Sequence, residues 1–465
     1  MLLLPSQYAD APLRDLLHEA GLGRIGVDRA FVQAILDRGP GGAAAEVAAY
    51  ALEQPEEDRV ELSVDLFYIL RALRDPAAIP FLIHLLHQDD GEAPDEIYEA
   101  LGELGEAAVE PLLALREQAE GEQRANLEFL LAGLGVKDDR IRQILLDRLA
   151  TDPADAAINL SLYGDRELIP AMQERLDRMG EDEQDQKREL EYSLRNLEAP
   201  VIEDGPPPFD VFANFEDVAP PVWDVLEADE IVEFLAHPDP GVRKEAAEAL
   251  VDEEPDDDLL AALLGAAEND SDPAVRGAAW QSLSEYWEEP GVAAKLRDRM
   301  ADPSASPLER AGAAIAVASN ELTPAVEAVL RELYDRDETR PQAMRAMWRT
   351  FDQRFSPIFS KHLQDPIRPV QNEAITGVGY LGMVYESKHL EQMFDDPDLR
   401  ERALFAYALC CAGDTTRSNA KKLYRRIADL AGSLDEEEKA VVETAIDTRL
   451  ALHGQEPVFA RPHDH

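Results

Sequence analysis

Apolar residues recur along the C-terminal half of this chain at helical spacing, and the pattern itself repeats. With Arg243, Arg276, Arg310, Arg340, Gln371 and Arg400 as anchors, the intervals are 33, 34, 30, 31 and 29 residues. Alanine stands three residues after every anchor, at Ala246, Ala279, Ala313, Ala343, Ala374 and Ala403. Four residues after come Ala247, Trp280, Ala314, Met344, Ile375 and Leu404, and seven after come Leu250, Leu283, Val317, Met347, Val378 and Tyr407. Offsets of 3, 4 and 7 trace one face of an α-helix. A small residue at the same place in each copy marks where neighbouring helices approach most closely.

Helix starts repeat as well. DPGVR at 239–243, DPAVR at 272–276, DPIRPVQ at 365–371 and DPDLR at 396–400 each place Asp as an amino-terminal cap and Pro in the first turn, where a missing amide hydrogen costs nothing. A short amphipathic stretch precedes each, so the unit is helix–turn–helix of about 31 residues. The N-terminal half keeps the period: Leu70, Leu101, Leu131, Leu160 and Leu194 are spaced 31, 30, 29 and 34. Gly105, Gly135 and Gly164 fall at helix ends, where a left-handed residue is wanted, and Pro80, Pro111 and Pro170 are expected in first helical turns.

The DPxVR starts, the Ala246–Ala247 pair and the run ALGELGEAAVEPLL from Ala100 to Leu113 resemble HEAT repeats, in particular the bacterial HEAT-like kind. The resemblance covers residues 55–200 and 227–415. It implies an all-α fold, a right-handed α-solenoid of about eleven to thirteen helical hairpins sharing one long core. It says little of function, because such solenoids serve as scaffolds, adaptors, inhibitors and a few enzymes. The copies near 302–317, with PSASPLER, and near 337–347 depart from the pattern.

The expected organisation is an N-terminal helical cap (1–54), a first arc (55–198), a strap (199–226), a second arc (227–414), C-terminal capping helices (415–452) and a flexible tail (453–465). The strap breaks the period. It holds Pro206, Pro207, Pro208, Pro220 and Pro221, which exclude a long helix, together with Phe209, Phe212, Phe215 and Trp223. It either packs on adjacent helices or binds a partner as a loop or joint, so its four aromatics are candidate partner-binding residues.

Charge changes the picture. The chain carries 95 Asp+Glu against 45 Lys+Arg, net −50. Residues 51–300 account for −41 of this and residues 301–465 for −7. Such acidity keeps a long protein soluble, or steers a basic partner, and it argues against nucleic acid, whose phosphates need Lys and Arg to replace counterions. The start MLLLPSQYADAP lacks a basic segment and a long apolar run, and no membrane span is expected. Cytoplasmic residence follows as the expectation. Cys410 and Cys411 are adjacent and read as small core residues.

Motifs for chemistry are sparse. HEAT-like hydroxylases hold two irons through recurring His-Glu pairs, whereas this chain has one such pair, His18–Glu19, in the cap. His84 and His87 lack a third ligand at a defined spacing, His463 and His465 would chelate weakly, and Asp256, Asp257 and Asp258 lack the glycine of a calcium loop. GVGYLG at 377–382 reads as repeat punctuation, not a nucleotide loop. HEAT-like DNA glycosylases need a basic groove with an aromatic pocket. The nearest stretch is RPQAMRAMWRTFDQRF at 340–355, with Arg345, Arg349, Trp348 and Phe351, followed by the basic cluster Lys421, Lys422, Arg425 and Arg426. Arg345, Trp348 and Arg349 are retained as candidate partner-binding residues. The expectation is a non-enzymatic scaffold or adaptor that binds a basic or amphipathic protein or peptide on its concave face, with no metal and no cofactor. The alternative is a HEAT-like enzyme or lyase acting in the groove.

Overall fold

The computed structural model describes residues 3–53, 59–86, 95–180, 183–199, 209–251, 256–412 and 416–459. His87, the prolines 206–208, His463 and His465 lie outside the described residues. Among the described residues there are twenty-six α-helices, short 3-10 turns and no strand. The chain is all-α, as its periodicity requires. It divides into two compact units, Met1–Val225 and Leu226–His465.

The first unit holds α1 (Leu13–Gly21), α2 (Arg29–Leu36), α3 (Gly42–Glu53), α4 (Arg59–Leu73), α5 (Ile79–Leu86), α6 (Asp95–Leu104), α7 (Glu106–Gln118), α8 (Gly121–Gly133), α9 (Asp139–Thr151), α10 (Pro153–Tyr163), α11 (Ile169–Asp177) and α12 (Gln184–Glu198). Alternate helices stack in two rows. In the even row α10 packs on α8 and α12, and in the odd row α3 packs on α5 and α9 on α11.

The second unit holds α13 (Ala228–Glu233), α14 (Pro240–Ala249), α15 (Asp257–Asn269), α16 (Pro273–Ser282), α17 (Val292–Ala301), α18 (Pro307–Asn320), α19 (Pro324–Tyr334), α20 (Arg340–Arg349), α21 (Ser356–His362), α22 (Arg368–Tyr380), α23 (Ser387–Glu391), α24 (Arg400–Cys411), α25 (Arg417–Ala431) and α26 (Glu436–Leu452). Its even helices from α14 to α26 each pack on the next. The six recurring alanines are all buried in this row. The closest approach is between α16 and α18: a Cβ on Gly312 would lie 1.8 Å from the Gly277 carbonyl oxygen. Small residues therefore set the spacing of the row.

Four of the five anchor arginines are joints of the repeat; the fifth, Arg310, donates to the Met300 carbonyl at 3.2 Å. Arg243 donates to the His237 carbonyl at 2.8 Å, Arg276 to that of Asp270 at 2.7 Å, Arg340 to that of Tyr334 at 3.1 Å and Arg400 to that of Phe394 at 2.7 Å. Each reaches six residues back, to the open carbonyl end of the preceding helical segment. Three of these guanidiniums also meet a carboxylate of a later element: Arg243 meets Asp270 at 2.8 Å, Arg276 meets Glu309 at 3.1 Å, and Arg400 meets Glu438.

Several local expectations are corrected. Asp239 and Asp272 cap α14 and α16 directly, whereas Asp365 and Asp396 cap turns three or four residues ahead of α22 and α24. Pro80 and Pro170 occupy first turns, but Pro111 lies inside α7. There the 3-10 turn that precedes α5 and α11 is absorbed into the helix. Within GVGYLG only Gly382 ends a segment; Gly377 and Gly379 sit inside α22, where a Cβ would meet the Phe359 ring at 2.3 Å and the Ala406 Cα at 2.9 Å. The tail expected to fray is pinned as far as Phe459, because Val458 and Phe459 donate their amides to Asp447 at 2.7 and 2.8 Å.

Strap residues 209–225 belong to the first unit and lie against its opening helices. The Arg29 amide donates to the Glu216 carbonyl at 3.0 Å, its guanidinium reaches the Phe215 carbonyl at 3.1 Å and Asp217 at 2.6 Å, and the Val222 amide donates to the Gly23 carbonyl at 2.8 Å. Gly26 is required here, since a Cβ would lie 2.1 Å from the Ala219 oxygen.

Candidate partner-binding surfaces

Each even-row helix buries its core offsets and turns another face away from the odd row. On α20 that open face carries Arg345, and α22 brings Glu373 beside it. Arg345 donates to one Glu373 oxygen through Nε at 2.9 Å and Nη2 at 2.7 Å, and the Trp348 indole donates to the other at 2.9 Å. Glu373 is buried and both its oxygens are engaged, which satisfies a carboxylate that would otherwise be costly there. Burial alone would lower the Arg345 pKa, but Glu373, with Glu248 adding, holds it above the ordinary guanidinium value. Arg345 also reaches across α18 to within 3.5 Å of the Gln281 side-chain oxygen. The small residues of α18 make that reach possible.

Aromatic rings complete this surface. Trp348 stacks on Tyr380 with centroids 4.5 Å apart and planes 12° apart, and Arg349 lies 5.4 Å over the Trp348 ring. Phe351 meets the Tyr380 ring edge-on at 6.2 Å, and Phe405 lies 6.2 Å from it on the next helix. Phe351 is 48% exposed and has φ +53°. A bulky residue in the left-handed region costs about 1–2 kcal/mol. The repeats at Gly105, Gly135, Gly164 and Gly382 use glycine at the corresponding place.

The first unit presents a different open face. Position −2 relative to the buried anchors Leu70, Leu131, Leu160 and Leu194 holds Tyr68, Phe129, Ile158 and Tyr192, with Glu99 in the remaining copy. Phe129, Ile158 and Tyr192 are 40%, 51% and 60% exposed. Tyr98 packs edge-on to Phe129 at 6.0 Å, and exposed Leu162 covers Gly133 of α8. Position −5, nearly one turn earlier on the same face, holds Asp65, Glu96, Asn126, Asp155 and Glu189. Glu96, Asp155 and Glu189 are exposed. On α10 and α12 an exposed apolar residue therefore stands beside an exposed carboxylate, with Phe129 continuing the apolar positions on α8 and Glu96 the acidic ones on α6; Asp155 also pairs with Arg148 at 2.6 Å.

The strap aromatics are placed by packing within the first unit. Phe215 is buried, and Phe209 and Phe212 pack on the core cluster. Trp223 is half-buried in a 3-10 turn. Within the second unit the structure brings Arg345, Trp348 and Arg349 together, and within the first unit Phe209, Phe212 and Phe215 lie on its opening helices. The exposed row of Phe129, Ile158 and Tyr192 escaped the sequence reading, which followed the buried offsets. Its signal was present two residues before four of the five leucine anchors.

Candidate metal ligands do not converge: among the described residues no three His, Cys, Asp or Glu side chains form a metal-holding group. Glu19 pairs with Arg24 at 3.0 Å. Cys410 is buried, with its Sγ 3.8 Å from that of half-buried Cys411. No described helix is long and apolar enough to cross a membrane.

No curated protein matches the chain. Solved structures similar to it include human deoxyhypusine hydroxylase in complex with glycerol, at 17% identity and TM-score 0.18 over 73% of this chain and 97% of that one. Kap95p, from a structure with RanGDP, shows 13% identity and TM-score 0.26 over 93% of this chain and 57% of that one. A tumor overexpressed gene (TOG) domain array structure, concerned with tubulin recruitment by microtubule polymerases, shows 13% identity and TM-score 0.22 over 91% and 90%. At these scores the likenesses carry no argument about activity. The family model of HEAT repeats matches residues 228–318, which span α13 to most of α18. Residues 228–318 are therefore assigned to HEAT repeats, and the described helices on either side of them are all-α and stack in the same alternating manner.

Proposed function

We propose that the protein is a non-enzymatic scaffold whose even helix row in the first unit, taken as its concave face, docks a basic amphipathic segment of a protein partner. One observation supports this reading: at two fixed repeat positions, one turn apart, three of the five copies expose an apolar residue (Phe129, Ile158, Tyr192) and three expose a carboxylate (Glu96, Asp155, Glu189), both together on α10 and α12. A basic amphipathic helix would lay its apolar side on Phe129, Ile158, Leu162 and Tyr192 and its Lys or Arg side on Glu96, Asp155 and Glu189. The −41 carried by residues 51–300 supports fast, salt-sensitive encounter with such a partner. A preformed helical surface keeps the ordering cost low.

The test is fluorescence anisotropy of a labelled Leu/Lys amphipathic peptide of about eighteen residues, or five turns, titrated with the intact chain. Replacing Ile158 and Tyr192 by Ser removes two apolar contacts and is expected to weaken binding by roughly tenfold or more. Equal affinity for the wild type and this double variant would refute the docking row.

A further inference from the structure

We propose that α25 and α26 form a recognition site for a short extended peptide segment, which residues 455–459 of the chain itself occupy and a partner segment of the same chemistry displaces. The receiving side is built into the two helices. On α26, Asp447 is the one charged side chain among the buried Val442, Ala445, Ile446 and Leu450. Its two oxygens accept the amides of Val458 and Phe459 at 2.7 and 2.8 Å. At the start of α25, the Thr416 hydroxyl pairs with that of Ser418 at 2.9 Å and makes no cap bond. The Arg417 amide donates to the Gln455 side-chain oxygen at 3.3 Å, and the Arg417 guanidinium meets Glu456 at 2.7 Å. The Tyr424 ring of α25 receives that of Phe459, with centroids 5.6 Å apart.

The two sides of this contact are unequal. Asp447 is held in the body of the unit, whereas residues 455–459 are neither helical nor buried. The segment is gripped by hydrogen bonds, one exposed ion pair and one ring contact. Each is weak alone, so a competing segment that repeats them can take its place. The site also states what it reads. Arg417 and the positive start of α25 take a carboxylate. Pro457 follows, which lacks an amide and keeps Glu456 extended. Two successive amides then reach Asp447, the second from an aromatic residue. The ligand class is therefore an extended protein segment of the form acidic–Pro–apolar–aromatic. Because a carboxylate reads backbone amides, the apolar position tolerates different side chains.

The experiment measures anisotropy of a labelled, end-blocked peptide, Gly-Gln-Glu-Pro-Val-Phe, copied from residues 454–459. It is titrated with the full-length wild type and with a full-length double variant, Glu456→Lys with Phe459→Ser, which alters only the occupant. The double variant is expected to bind the peptide about tenfold tighter than the wild type, because the attached segment no longer competes at high effective concentration. A peptide methylated on the Val and Phe amide nitrogens is expected to bind the double variant about tenfold more weakly. Adding Arg417→Gln, at an exposed helix start, is expected to weaken the parent peptide about threefold. A double variant that binds the peptide no tighter than the wild type, or not at all, would overturn the proposal. So would equal binding of the methylated and parent peptides. None of these residues belongs to the surface of the first unit, so the two docking proposals stand or fall separately.

Discussion

The ring of Phe209 stacks on that of Tyr68, with centroids 6.1 Å apart and planes 25° apart. Tyr68 stands at the same repeat position as Phe129, Ile158 and Tyr192, so the strap covers the first rung of a row whose later rungs are open. The Arg71 guanidinium lies 4.3 Å over the other partner of this contact, the Phe209 ring. Replacing Phe209 by Ala removes an aromatic stack and a cation–π contact, and is expected to destabilise the chain by about 1–3 kcal/mol. Urea denaturation followed by far-ultraviolet circular dichroism measures it. A change below about 0.5 kcal/mol, the size of an ordinary surface substitution, would mean that the strap rests on the unit without stabilising it.

The spacing of the second unit's even row makes a sharper stability prediction. Gly312→Ala puts a methyl group 1.8 Å from the Gly277 carbonyl oxygen, where two helix backbones meet. Neither backbone can yield without moving its neighbours, so the cost is expected at about 3 kcal/mol or more. Gly265→Ala meets open space in α15 and is expected to be neutral or slightly stabilising. Thermal melts of the two variants separate the cases; equal melts would show that α16 and α18 tolerate a wider spacing.

The Glu373 cluster predicts an asymmetry between two substitutions. Glu373→Gln leaves the Arg345 guanidinium without its carboxylate, and is expected to cost about 3 kcal/mol, as for a broken buried pair. Arg402→Gln on the same open face, at an exposed edge, is expected to change stability by less than about 0.5 kcal/mol. Guanidinium chloride midpoints measure both. Similar losses in both variants would remove Glu373 from the role of keystone.

Much of this architecture was legible in the sequence. Buried offsets of 3, 4 and 7 located the even-row helices, and the alanines at 246, 279, 313, 343, 374 and 403 marked their contacts, because core patterning follows helix geometry directly. The helix starts at 365 and 396 were misjudged, because an Asp that caps a turn reads like one that caps a helix. The open faces were harder to see. Arg345 and Trp348 stood out by residue type, but Glu373 was silent until the fold set it beside them. The tail at Val458 and Phe459 looked free, since only tertiary structure brings Asp447 to those amides.

Acid should loosen the second unit. Burial would raise the Glu309 pKa, but hydrogen bonds from Arg276 and Ser306 hold it below the ordinary carboxylate value. Asp270 is likewise lowered, with burial opposed by Arg243 and the Asp272 amide. The folded state therefore binds these protons less readily than the unfolded state. Their stabilising contribution is complete above the ordinary carboxylate range and is lost as pH falls through the lowered folded values. Denaturation midpoints are expected to drop with decreasing pH across that window, and Glu309→Gln is expected to flatten the slope. An unchanged slope would remove Glu309 from this acid response.

The docking row of the first unit is tested most directly by hydroxyl-radical footprinting of the intact chain, with and without a saturating Leu/Lys amphipathic peptide. The account predicts slower oxidation of Phe129, Ile158, Leu162 and Tyr192 in the presence of peptide, while Phe351 in the second unit oxidises at an unchanged rate. Bound peptide that leaves those four side chains as reactive as before would contradict it.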